Sequence, residues 1–134
     1  MMDRKRFTVE VRERAQVPSS DFSEQALVIC LRLIADNLSV AGTEEFAAAM
    51  PDEWRADIGR ALAKIEHTPK EIIDLLTVQA GIDAAAADQI FFAVLVQLWL
   101  ALPEPMVQKM IRQVPARLAH AMRGARPGQK RGSF

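Results

Sequence analysis

The stretch DQIFFAVLVQLWLAL, which runs from Asp88 to Leu102, constrains the fold of this chain more than any other segment. A helix that spans a membrane needs about 20 predominantly apolar residues, and residues 84–102 nearly provide them. Asp88 and Gln97 lie inside this window, and a carboxylate well inside a bilayer costs about 3 kcal/mol. We therefore predict no membrane span, and we expect the segment to fill a core or to meet a partner.

A repeat emerges when the sequence is compared with itself at shifts of 64 and 65 positions. At the shift of 64, SEQALVICLRLIADNLS overlays ADQIFFAVLVQLWLALP, and EEFAAAMPDEWRADIGR overlays QKMIRQVPARLAHAMRG, which places Pro51 on Pro115. At the shift of 65, Phe7 overlays Ile72 in the first helix of each copy. Few residues are identical, so the evidence lies in apolar positions that recur at helical spacing in both copies.

The repeat predicts an all-α fold with about eight helices, arranged as two pseudo-repeated four-helix units in one compact helical domain. Thr68, Pro69 and Glu71 form a T-x-x-E capping box with proline in the first turn, which is the clearest helix start. The predicted helices are 3–16, 20–38, 42–49 and 51–66 in the first copy, and 69–80, 84–102, 105–113 and 115–124 in the second. The domain is expected to span 1–124, with repeat one at about 3–66, repeat two at about 68–124, and a flexible basic tail at 125–134.

The two long helices differ on one face. Where the first copy has Arg32 and Asp36, the second has Val96 and Leu100, so a face that copy one offers to water is apolar in copy two. Either the first copy covers this face within one domain, or a partner protein or a second copy of the chain does so. In the second case the partner interface would consist of Phe92, Val96, Trp99 and Leu100.

The last thirty residues are strongly basic although the net charge of the chain is zero. Residues 105–134 carry seven basic groups and no acidic group, whereas residues 36–104 carry four basic and twelve acidic groups. Such a segment could follow a phosphate backbone, and it could equally be a solvated face or an internal match to the acidic middle of the chain. The possible nucleic-acid contacts are Lys109, Arg112, Arg117, Arg123, Arg126, Lys130 and Arg131. Base stacking lacks a platform, since no aromatic residue interleaves with them before Phe134.

No catalytic constellation, cofactor motif or metal-ligand spacing is found in the 134 residues. The single cysteine, Cys30, lies in the apolar run ALVICL, so we expect a buried, reduced thiol with a raised pKa. His67 falls at the junction of the two copies, and His120 is expected on the outward side of the last helix. We expect a cytoplasmic protein, because the N-terminus has no apolar signal segment and the lone cysteine cannot form an internal disulfide.

The segments MPDEWR at 50–55 and VPARLA at 114–119 each follow a short helix, EEFAAA or QKMIRQ. This arrangement, from about Phe7 to Met122, resembles the bacterial domain-of-unknown-function 2267 family. Met50 and Val114 stand where that family usually has leucine before the proline. The resemblance implies an all-helical fold in a bacterial cytoplasm, and it brings no catalytic residues.

Together these features predict a non-enzymatic helical interaction or regulatory module that uses no cofactor and associates with itself or with another protein. The alternative is an accessory protein that binds nucleic acid through the basic C-terminal segment.

Overall fold

The computed structural model describes residues 2–59 and 63–128, and within these ranges the chain forms eight α-helices and no strand. The helices are α1 (Arg4–Ala15), α2 (Glu24–Ala35), α3 (Val40–Ala49), α4 (Asp52–Ile58), α5 (Pro69–Ala80), α6 (Ala84–Ala101), α7 (Glu104–Ile111) and α8 (Ala116–Gly124). The prediction of an all-α fold with about eight helices is confirmed. Most of the predicted tail, residues 129–134, lies outside the described residues.

Helices α2 and α4 are shorter than predicted by several residues, and the other limits differ by two residues or fewer. Helix α2 begins at Glu24 rather than at residue 20, because the Ser23 side chain accepts a hydrogen bond from the Ala26 backbone N–H at 3.0 Å and caps the helix there. Helix α4 ends at Ile58 rather than at residue 66. Further along the chain, the Ile65 N–H donates to the Asp36 carbonyl at 2.8 Å. The backbone at Ile65 is therefore bonded to the end of α2 instead of continuing a helix.

The start of α5 is formed as predicted. The Thr68 hydroxyl accepts from the Glu71 N–H at 3.2 Å, and the Glu71 carboxylate accepts from the Thr68 N–H at 2.9 Å. These hydrogen bonds lower the pKa of Glu71. Helix α5 ends at Ala80, the following Gly81 takes the left-handed conformation (φ 68°), and Asp83 then caps α6. The short connection sets α5 beside α6.

The helices pack crosswise between the two predicted copies. Helix α1 of the first copy lies along α6 of the second, helix α5 of the second copy packs on α2 of the first, and α2 and α6 contact each other. The core contains the inward faces of all these helices, including Phe7, Leu27, Ile72 and Ile90. Each long helix therefore completes its burial with the first helix of the other copy.

Helix α6 is long and apolar enough to cross a membrane by length and composition alone. In this fold 56% of its residues are buried, and helices α1, α2, α5 and α7 contact it. A buried core helix passes the same test of length and composition. The packing thus shows how the chain itself covers most of this apolar helix.

Equivalent positions of the predicted repeat meet where α3 approaches α7. Lys109 Nζ lies 3.0 Å from Glu45 Oε2, and these residues are 64 positions apart. One small cavity at the same place is lined by two further pairs with this separation, Gly42 with Met106 and Phe46 with Met110. A two-fold relation between the copies would bring equivalent residues together at its axis. These contacts support the predicted repeat.

Asn37 is fully buried just beyond the C-terminal end of α2. Its side-chain amide donates to the Leu33 carbonyl at 3.0 Å and to the Ile34 carbonyl at 3.3 Å, and its Oδ1 accepts from the His67 N–H at 2.5 Å. The Asn37 side chain thereby provides hydrogen-bond partners to backbone carbonyls of α2 and to a backbone N–H of the segment that leads into α5. A buried polar group of this kind is costly to leave without a partner.

Replacing Asn37 with alanine should lower the free energy of unfolding by about 2–3 kcal/mol, because the His67 N–H loses its acceptor inside the protein. Urea denaturation followed by circular dichroism measures this loss. The control is Gln89→Ala on the exposed side of α6, which should change the free energy by less than about 0.5 kcal/mol. Equal effects of the two substitutions would contradict the role assigned to Asn37.

Candidate functional site

The predicted interface on α6 is not one exposed stripe. Val96 is only 8% exposed and lies in the core, whereas Leu100 is 54% exposed at the end of the helix. Phe92 and Trp99 are partly buried and pack against the core. The assignment of Val96 to a partner surface is therefore corrected, because the side chain is already covered within the chain.

Trp99 is held by the C-terminal end of α8. Its indole N–H donates to the Met122 carbonyl at 2.7 Å, and the Arg126 guanidinium carbon lies 5.2 Å from the ring centroid. Arg126 also forms an ion pair with Glu104 at the start of α7. The exposed apolar area that remains of the predicted interface is mainly that of Leu100.

The predicted basic segment divides into paired and unpaired cations. Lys109 is paired with Glu45 and Arg126 with Glu104, so part of the segment matches acidic groups of the same chain, one of the alternatives considered above. Arg112, Arg117 and Arg123 are exposed, and they form no ion pair with any described residue. Lys130 and Arg131 lie outside the described residues.

Helices α4 and α8 occupy equivalent places in the predicted repeat but carry opposite charges. The outward side of α4 carries Asp52, Glu53 and Asp57, all exposed. The outward side of α8 carries Arg117 and Arg123, and Arg117 stands 64 positions after Glu53. We call these surfaces the acidic face of α4 and the basic face of α8.

A cleft of about 430 Å³ opens between the start of α1, helix α2 and helix α4, and we call it the Trp54 cleft. Val28 and Ile29 of α2 are half-buried in its lining, beside the buried Trp54. Phe7 supports Trp54 from behind in an edge-to-face contact at 6.0 Å between ring centroids. The charged residues that line the cleft are Arg4, Glu24, Arg32, Glu53 and Asp57.

Most of these charges are already engaged. Arg4 Nε lies 3.4 Å from Glu24 Oε1 and 3.5 Å from Glu53 Oε2, and the Trp54 indole N–H donates to Glu24 Oε1 at 3.0 Å. Arg32 donates through Nη2 to the Gln79 side chain of α5, while its buried Nε has no hydrogen-bond partner among the described residues. The Trp54 cleft thus contains one guanidinium whose hydrogen-bonding capacity is incompletely used.

A second cleft, of about 240 Å³, lies between α5, α6 and α8. Four of its lining positions match the Trp54 cleft at the repeat shifts: Pro69 with Arg4, Asp88 with Glu24, Phe92 with Val28, and Ala121 with Asp57. It is more apolar, with Ile73, Phe91 and Leu95 in its lining. We call it the Phe92 cleft, and it is the place where Phe92 of the predicted interface remains accessible.

The other candidate side chains lie apart from these clefts or have structural contacts. Cys30 is fully buried in α2, and this burial raises the pKa of its thiol as expected from the sequence. His67 Nε2 lies 3.3 Å from Asp36 Oδ2 at the end of α2. His120 is exposed on the outward side of α8, as predicted, and has an interaction partner. Within residues 2–59 and 63–128, no group of three or more potential metal ligands comes together.

Sequence reasoning missed the Trp54 cleft, because its lining comes from three helices that are distant in the chain. One signal was present: Arg32 stands where the second copy has Val96. That contrast identified a difference between the long helices, but the periodicity of one helix does not tell which other helices flank it.

A family model described as "Uncharacterized conserved protein (DUF2267)" matches residues 4–121, which is nearly the whole chain. The match includes all the described helices except the end of α8. No curated protein and no solved structure shows a significant match.

Substitution of Val96 and Leu100 by aspartate should separate the buried part of the predicted interface from the exposed part. Val96→Asp places a short carboxylate in the core and should lower the free energy of unfolding by about 3 kcal/mol or more. Leu100→Asp should change it by less than about 0.5 kcal/mol. Chemical denaturation of both variants tests this difference, and a Val96→Asp protein as stable as Leu100→Asp would show that Val96 is not in the core.

Proposed function

The chain belongs to the DUF2267 family, and we propose that it is a non-enzymatic interaction module that associates with further copies of itself through the basic face of α8 and the acidic face of α4. The observation that carries this proposal is the opposite charge on two helices at equivalent positions of the predicted repeat. Every copy of the chain then offers both halves of a complementary pair.

The exposure of the charged side chains supports this use. The side chains of Asp52 and Glu53 are 72% and 52% exposed, and Arg117 and Arg123 are exposed without an ion pair among the described residues. Asp52 is paired with Arg55 at 2.6 Å and Glu53 with Arg4 at 3.5 Å, so a partner's arginines would compete with these local contacts. Exposed ion pairs are each worth about 0.2–1 kcal/mol, and the proposed association is accordingly weak and dependent on concentration.

The two faces differ from each other, so the proposed contact is heterologous. Contacts of this type produce closed rings or open chains of copies rather than a simple two-fold dimer. The α6 surface plays a smaller part than the sequence predicted, because only Leu100 of its four residues is exposed. A cytoplasmic location belongs to the same proposal, with the buried, reduced Cys30 as support.

The non-enzymatic character is supported by the chemistry of the Trp54 cleft. None of the described residues that line it is a serine, cysteine or histidine, and its arginine Arg4 is held between two carboxylates. Two of its carboxylates, Glu24 and Glu53, face this same arginine, which supports a binding role over a covalent one.

The association should respond to charge reversal in a paired manner. Arg117→Glu and Glu53→Lys should each abolish self-association, because each brings like charges together between copies. A mixture of the two variants should associate again, since the altered α8 of one then meets the altered α4 of the other. Analytical ultracentrifugation at low and high salt measures this, and wild-type association should fall as salt is raised.

Arg12→Glu on the exposed side of α1 is the matched control and should leave association unchanged. Glu53→Lys also removes the ion pair of Glu53 with Arg4, so circular dichroism is used to check that this variant remains folded. A wild-type protein that stays monomeric at low salt and high concentration would refute the proposal, as would failure of the variant mixture to associate.

Nucleic-acid binding is the second candidate, favoured by the three exposed arginines Arg112, Arg117 and Arg123. If they contact phosphates, the logarithm of the affinity should fall with the logarithm of salt concentration with a slope of about −2 to −3, and Arg117→Gln should reduce this slope by about 1. Fluorescence anisotropy with labelled DNA and RNA at several salt concentrations measures both. Glu53→Lys separates the candidates, because it should abolish self-association without weakening nucleic-acid binding; no binding at low salt would exclude this function.

A further inference from the structure

We propose that the Trp54 cleft binds an apolar group that carries a carboxylate, with Arg32 as the carboxylate ligand. This inference goes beyond the proposed self-association, since it concerns a separate ligand and rests on Arg32, which is not part of either charged face. The shared chemistry has two possible sources: a free organic acid, or the C-terminal carboxylate of a polypeptide.

Arg32 is the residue that selects the charge of the ligand. It is partly buried, its Nη2 donates to a neutral amide oxygen of Gln79, and no carboxylate among the described residues pairs with it. Its Nε is buried and donates to no described residue. A guanidinium presents Nε and one Nη side by side, which matches the two oxygens of a carboxylate. A small movement of the side chain towards the cleft would give the Nε an acceptor.

The lining beside Arg32 suits an apolar group. Val28 and Ile29 stand in the same helix, four and three residues before Arg32, so they share its side of α2. Both are half-buried and line the cleft, whose volume of about 430 Å³ lies within the usual range of ligand pockets. The ligand would thus lie along α2, with its apolar end on Val28 and Ile29 and its charged end at Arg32.

The acidic groups of the cleft do not make it a cation site. Glu24 accepts from Trp54 and faces Arg4, Glu53 faces the same arginine, and Asp57 also has an interaction partner. Arg4 lies between two carboxylates, whereas Arg32 is paired with none among the described residues. The lining carries two arginines and three carboxylates, and Arg32 is the arginine that pairs with no carboxylate among the described residues, which leaves it available to an anionic ligand.

The Phe92 cleft serves as an internal comparison. Val96 stands at the position equivalent to Arg32, and Phe92 stands at the position equivalent to Val28. Val96 is buried in the core and does not line the second cleft, whose described lining contains no arginine and has the bulkier Phe92 in a smaller volume. Carboxylate binding is consequently assigned to the Trp54 cleft alone.

Titration of the full chain with N-acetyl-leucine and with its amide tests the charge requirement. The two probes share the apolar group, and the carboxylate should bind at least about tenfold more tightly because only it accepts charge-assisted hydrogen bonds from Arg32. Binding is followed by NMR at the methyl groups of Val28 and Ile29. Arg32→Gln should weaken binding of N-acetyl-leucine at least about tenfold, and Arg32→Lys should weaken it less, since it keeps the charge but loses the paired donors.

Two further variants test the site. Val28→Phe, which copies the Phe92 cleft, should weaken binding by filling the floor. Gln79→Ala should retain binding, because Gln79 does not line the cleft and the change frees Nη2 of Arg32 for the carboxylate. Circular dichroism of each variant confirms its fold. Equal binding of acid and amide, binding that Arg32→Gln does not alter, or no binding of wild type below about 10 mM would each overturn the proposal.

Octanoate and a short peptide ending in leucine distinguish the two sources. A peptide with a free carboxylate that binds at least about tenfold more tightly than N-acetyl-leucine, and loses this advantage when amidated, identifies a polypeptide C-terminus as the ligand. Octanoate that binds as tightly as the peptide identifies a free organic acid. Self-association measured on the same samples keeps the two proposals separate, since Arg32→Gln should not change it.

Discussion

The crosswise packing of the first helices is the constraint on which the rest of the fold depends. Helix α1 covers α6, and helix α5 covers α2, so each long helix needs the other half of the chain for its burial. This exchange accounts for the apolar character of α6, because 56% of its residues are buried among helices from both halves. Removing apolar surface from water contributes about 25 cal/mol for each Å², and this burial binds the halves into one body.

The two halves, which the sequence predicts to be copies of one unit, carry different chemistry. Glu45 and Lys109, at matching positions of the predicted repeat, attract each other across the contact of α3 with α7. Glu53 and Arg117 also stand at matching positions of the predicted repeat. Both are exposed, and they give the surfaces of α4 and α8 opposite charges. The Trp54 and Phe92 clefts also differ, because Arg32 lines the first, whereas Val96 at the matching position of the predicted repeat is buried in the core and lines neither. The proposed self-association and the proposed carboxylate site both depend on such differences between matching positions of the predicted repeat.

Sequence reasoning was most accurate where the signal is local. The capping box at Thr68 and Glu71, the burial of Cys30 and the order of the helices follow from neighbouring residues, and all are present in the structure. It was least accurate where a distant group competes. Residues up to 66 were predicted as helix, but the Ile65 N–H donates to the Asp36 carbonyl. The neighbouring His67 N–H donates to the Asn37 side chain, 30 positions earlier in the chain.

The sequence by itself determined the all-helical fold, the order and approximate limits of the helices, the family, and the unequal distribution of charge, because periodicity, caps and composition are properties of the chain. Only the tertiary structure decided which groups are left for function. Val96 is covered, Trp99 is held by α8, two of the basic residues are paired, and Arg32 shares a cleft with residues from α1 and α4. Burial and pairing depend on which helices become neighbours, and that choice involves the whole chain at once.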